Sequence, residues 1–101
     1  MKILLNVVFP TEKFNESVRD GSAGQKINRI LAELKPEAAY FAGQESQRSV
    51  ILIVDLPDPS AVPALAEPWF LTFNAKVEFR VVMSAEELAK AGLDELGKKW
   101  A

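Results

Sequence analysis

The chain predicts an α+β protein: a four-stranded antiparallel sheet built in the order βαββαβ, plus a C-terminal helix. Three observations carry this. Four runs suit a pleated surface, amphipathic stretches separate the first run from the second and the third from the fourth, and a capped, charged tail follows the last run.

Ile3 to Phe9 is rich in β-branched and apolar residues, and Pro10, with no N–H to give a ladder, ends it as strand one. Thr11 is expected to cap a short helix with Phe14 and Val18 on one face, broken at Asp20-Gly21. Ser22 followed by Gln25 has the spacing of a capping box. Ile27, Ile30, Leu31 and Leu34 then recur at i, i+3, i+4 and i+7, and Lys35-Pro36 stops the helix.

Ala38 to Gln44 reads as strand two, Glu45 to Ser49 as a polar turn, and Val50 to Leu56 as strand three with apolar residues on both faces. Asp58-Pro59-Ser60 opens a second helix, with Pro63 tolerated in its first turn. Pro68 is expected to kink that helix before Trp69, Phe70, Leu71 and Phe73, and Asn74-Ala75 closes it. Lys76 to Met83 alternates, with Val77, Phe79, Val81 and Met83 on one side and Lys76, Glu78, Arg80 and Val82 on the other.

A second capping-box spacing, Ser84 with Glu87, opens the tail, which carries Leu88, Leu93, Leu96 and Trp100 and breaks near Gly92. Its acids come early and Lys98 and Lys99 late, as the helix dipole favours. Right-handed crossovers place the strands in the order 4-1-3-2, the ferredoxin-like arrangement. One domain is expected over residues 1–101, with a core at 1–83 and an appended helix at 84–101.

Composition narrows the chemistry. A net charge of −2, with twelve basic residues scattered among fourteen acids, gives no stripe for nucleic acid. Neither histidine nor cysteine is present, so the usual ligands of zinc, copper and haem are missing; no metal or cofactor is expected, and only carboxylate-bound Mg²⁺ or Ca²⁺ stays open. The apolar start is interrupted by Asn6 and followed by Glu12 and Glu16, which fits a buried strand better than a signal peptide. A cytoplasmic protein without a membrane span is therefore expected.

Strand three has a demand of its own. Val50, Leu52 and Val54 point one way and Ile51 and Ile53 the other, yet two helices cover only one face of a sheet. A homodimer packed through the uncovered face is expected. At this point the chain resembles the dimeric α/β-barrel superfamily, in which two ferredoxin-like subunits put their open sheets together around a cavity. The run Ala64-Leu65-Ala66-Glu67-Pro68-Trp69-Phe70-Leu71-Thr72-Phe73-Asn74-Ala75 is similar to a group of short bacterial proteins. So are Val77-Glu78-Phe79-Arg80 and the ending Ala91 to Trp100. Some of that group carry a pantothenate synthetase label. Such ligases resemble nucleotidyl transferases with His-containing motifs, and this chain has no His.

If the odd residues of strand one lie under the helices, Asn6 projects into the dimer cavity with Glu78 and Arg80 of strand four. Tyr40, Gln44 and Asp55 join them if the phase of strands two and three allows. In a small-molecule-binding protein or cofactor-independent enzyme, Glu78 is the candidate acid or base. Arg80 would bind an anion, and Asn6 and Tyr40 would orient a small anionic or aromatic ligand. The alternative is a non-catalytic dimeric module, structural or regulatory, in which Glu78 and Arg80 fix the register. Two further features read as structural: the loop Arg19 to Lys26 lacks P-loop spacing, and Trp69, Phe70 and Phe73 suit a core or a dimer contact better than a pocket.

Overall fold

A computed structural model describes all of residues 1–101. The chain forms β1 (Lys2–Val8), α1 (Thr11–Arg19), α2 (Ala23–Leu34), β2 (Ala38–Gln44), β3 (Gln47–Asp55), α3 (Val62–Phe73), β4 (Lys76–Val81), α4 (Ala85–Ala89) and α5 (Leu93–Trp100). A single 3₁₀ turn, Pro59–Ala61, leads into α3. The sheet is antiparallel throughout and ordered β2-β3-β1-β4. The protein is thus α+β around one four-stranded antiparallel sheet.

Alternation decides which face is covered. Ile3, Leu5 and Val7 of β1 and Val50, Leu52 and Val54 of β3 are buried beneath the helices, with Phe9 just beyond β1. Leu5 sits opposite Leu52 on one side and Phe79 on the other, so the core rows run straight across the central strands. From α3, Leu65, Ala66, Trp69 and Phe73 complete the layer. Phe9 meets Phe14, Trp69 and Phe73 at centroid distances of 4.8, 5.9 and 5.1 Å, in tilted or edge-on arrangements favoured by ring quadrupoles. Trp69 and Phe73 are therefore core residues, while Phe70 turns outward.

Several local expectations are corrected. Thr11 is the first residue of α1 rather than its cap; Pro10 occupies the cap position, where its fixed φ of −60° suits the entry. On α1 the buried residues are Phe14 and Ser17, and Val18 lies on the exposed side. Ser22 caps α2 by position only. Its Oγ is buried without a partner, because its backbone is near helical (φ −95°, ψ −8°) and does not aim the hydroxyl at the first-turn amides. By contrast, Pro68 lies inside the helix where the sequence placed it, and its missing N–H removes the usual bond to the Ala64 carbonyl.

The β2–β3 connection is tighter than the five-residue turn expected. Gln44 pairs with Gln47, and Glu45 and Ser46 alone make the turn, with φ of +52° and +64°. Two consecutive left-handed residues define the hairpin turn whose twist matches that of its strands. β4 stops at Val81, and Val81 and Met83, placed under the helices by their alternation, are exposed because the helix layer ends short of them.

The tail behaves least like the rest. Ser84 and Glu87 do form a reciprocal capping box: the Glu87 N–H donates to Ser84 Oγ at 3.1 Å and the Ser84 N–H to the Glu87 carboxylate at 2.9 Å. The Ser84 backbone N–H, and after it the Ser84 hydroxyl, hold the Glu87 carboxyl below its ordinary 4.5. A depressed carboxylate stabilises the folded turn above its unfolded pKa and loses that effect as pH falls through the folded value. Ser84→Ala removes the hydroxyl but keeps the backbone donor, so it should move Glu87 only part of the way back toward 4.5 in an NMR titration and fray α4.

Neither α4 nor α5 buries a residue. The radius of gyration is 17.0 Å, against about 13 Å for a compact chain of this length. The tail extends as an arm on which Leu88, Leu93, Leu96 and Trp100 all stay exposed.

Candidate functional site

The uncovered face of the sheet assembles side chains from all four strands. In register, Tyr40 of β2 lies opposite Ile51 of β3, Ile51 opposite Asn6 of β1, and Asn6 opposite Glu78 of β4. These four form one row about 14 Å long, three strand spacings. The next row is Ala38, Ile53, Leu4 and Arg80; the row on the other side is Ala42, Ser49, Val8 and Lys76. The surface is thus an apolar floor of Leu4, Val8, Ile51 and Ile53, with amide and phenol groups toward β2 and charges along β4.

The hairpin settles the phase of strand two. Ala38, Tyr40, Ala42 and Gln44 share the open face, and Gln44 Oε1 accepts a 2.7 Å hydrogen bond from Asn6 Nδ2. Ser49, in the row between them, is 2% exposed. That bond fixes the orientation of the Asn6 amide near the middle of the sheet. Asp55 also lies on this face, at its far end, where it holds the amino terminus of Met1 at 3.2 Å. It stands apart from the polar row.

Glu78 and Arg80 sit two residues apart on one strand and make no ion pair, although residues of both charges elsewhere on the surface do. Both are exposed. Within one chain the two do not pair, because side chains two apart on a strand are separated by nearly 7 Å and diverge with the twist. Tyr40 is 68% exposed, so its hydroxyl is free to meet a ligand or a neighbouring chain.

Two concavities lie elsewhere, and the sequence pattern signals neither. A groove of about 630 Å³ between α2 and α3 is rimmed by Lys26, Arg29, Glu33, Glu67 and Leu71. Its charges are mixed in sign, and Lys26 already donates to Ser17 Oγ at 2.8 Å. A second hollow sits in the bend between α4 and α5. The loop before α2 is internally satisfied as well, since the Ser22 N–H donates to the Asp20 carboxylate at 2.8 Å. An anion there would meet a carboxylate in place of that free amide.

No cluster of three or more Asp or Glu side chains converges anywhere in the protein, and no helix is long and apolar enough to cross a membrane. Compared with models of known protein families and with curated protein sequences, the chain finds no match.

Proposed function

We propose that the chain is a small-molecule-binding protein whose site forms when two copies pack their open sheets together, in the manner of a dimeric α/β barrel of ferredoxin-like subunits. The observation that carries this is the row Tyr40, Ile51, Asn6, Glu78 with Arg80 beside it: polar groups from three strands on an apolar floor, with both charges unpaired. A single sheet offers that row only as an open surface. A second sheet about 10 Å away would turn it into an enclosed site, in which Arg80 meets the carboxylate of a small anionic ligand in two places at once. Asn6, oriented by Gln44, would hydrogen-bond the ligand's polar end, Tyr40 would stack or donate, and Glu78 is the group available for proton transfer in a cofactor-independent reaction.

A second reading rests on the Asn6–Gln44 bond itself. Because this bond already satisfies part of Asn6, the polar row can instead serve to set the register of a non-catalytic dimeric module. Arg80→Met separates the two readings. Binding predicts that the variant remains a dimer by light scattering but loses the thermal shift that a panel of small carboxylates gives the unmodified protein. Register predicts a weakened dimer. No change in either property would remove this face from consideration.

A further inference from the structure

We infer that the C-terminal arm crosses to the second copy and lies along the edge of its β2 strand, closing one mouth of the shared cavity. This rests on the sheet-to-sheet dimer proposed above and goes beyond it by assigning the arm an occupant and a place.

The arm has an apolar face and nothing to put it against. Leu93, Leu96 and Trp100 fall at i, i+3 and i+7 on α5, Leu88 precedes them on α4, and all four are exposed, Trp100 by 76%. At the other side of the sheet, β2 is an unguarded edge. Its sequence from Ala38 to Gln44 contains no charge and no proline, and Tyr40 and Phe41 stand 68% and 57% exposed. Natural edge strands are commonly protected by charges, proline, bulges or a covering element. β4, the opposite edge, has Lys76, Glu78 and Arg80. Each chain therefore carries one uncovered edge and one uncommitted amphipathic helix, a count that closes in a two-fold dimer.

Geometry brings the two together. When two copies of a β2-β3-β1-β4 sheet face each other across a two-fold axis parallel to the strands, β4 of each lies over β2 of the other. Such an axis keeps rows at the same height. Arg80 shares its row with Ala38, so the arm leaves β4 level with the start of the second copy's β2, beside Tyr40 and Phe41. An axis perpendicular to the strands would instead stack β4 on β4 and leave both β2 edges bare. Area agrees with the first arrangement. Covering the four arm side chains hides on the order of 400 Å² per arm; with the surface they meet, two arms come to roughly 1,600 Å², the size of a standard stable interface. The phenol of Tyr40 would then lie between the arm of one chain and Glu78 of that same chain, so each site would draw on both copies.

The test uses the full chain, which has no cysteine of its own. Protein carrying Phe41→Cys is mixed with protein carrying Leu93→Cys and oxidised, and a disulfide joining the two different chains is expected as the main product. In the unmodified protein Trp69 is fully buried, so acrylamide quenching reads Trp100; quenching is expected to fall severalfold as dilute protein is concentrated into dimer. A dimer by light scattering in which Trp100 stays fully quenchable and no mixed disulfide forms would overturn the arm exchange while leaving the packed sheets standing. Closure of the disulfide within one chain carrying both substitutions would also overturn it, since the arm then folds back. A monomer at tens of micromolar would overturn both.

Discussion

Trp69→Ala is expected to be the most destabilising single substitution in the helix layer. Trp69 is 0% exposed and packs edge-on against Phe9 at 5.9 Å, in a cluster that also holds Phe14 and Phe73. Truncating a buried tryptophan typically costs about 3–5 kcal/mol, from lost transfer energy and from the cavity left behind. Domains of this size have only about 5–15 kcal/mol in total. At roughly 4–8 °C per kcal/mol, the melting temperature should fall by some 15–30 °C, measured by calorimetry or circular dichroism. Trp69→Phe should cost far less, because the indole N–H has no partner to lose and its burial is already unfavourable. A fall of only a few degrees for the alanine variant would mean that α3 is not seated on the sheet as described.

The second large effect belongs to the open face. Val50 and Ile51 are neighbours on β3 and face opposite ways: Val50 is fully buried beneath the helices, and Ile51 sits at the centre of the polar row. The proposed dimer predicts that Ile51→Lys leaves a folded protomer and breaks the association. An uncompensated charge buried between the packed sheets costs several kcal/mol, and each 1.4 kcal/mol is tenfold in affinity, so the dissociation constant should rise by about 100-fold or more. Val50→Lys should instead unfold the protein. Sedimentation together with far-ultraviolet circular dichroism distinguishes the two outcomes. If Ile51→Lys remains as tightly dimeric as the unmodified chain, the open sheet face is not the interface.

What could be read without coordinates followed from period-two alternation. Ile3, Leu5 and Val7 announced the covered face, and by exclusion Asn6, Glu78 and Arg80 announced the open one, because a strand cannot put neighbouring side chains on the same side. The strand order followed in turn from crossover handedness. Features set by single dihedral angles were not legible. Glu45 and Ser46 both adopt left-handed backbone, a conformation signalled by glycine or asparagine and by neither residue here, so the turn read long and β3 started late. Ser22 carried the capping spacing without the extended backbone that a cap needs, whereas Ser84, with φ −76° and ψ 165°, had both. The Gln44–Asn6 contact waited on the hairpin register for the same reason. The amphipathic pattern of the tail was visible, but periodicity says only that a helix has an apolar face, not which surface receives it.

The position of β1 also sets a timetable for synthesis. β1 is made before either of its neighbours, β3 and β4, between which it lies, so its hydrogen-bonding edges stay empty until residues 47–81 have left the ribosome. At about 5–20 residues per second that interval is on the order of 4–15 s. The β2–β3 hairpin, closed by two residues, needs no such wait and can form locally. During translation the nascent chain therefore holds Ile3, Leu5, Val7 and Phe9 without a sheet to join, the period in which a chaperone that recognises short apolar segments would find its binding site.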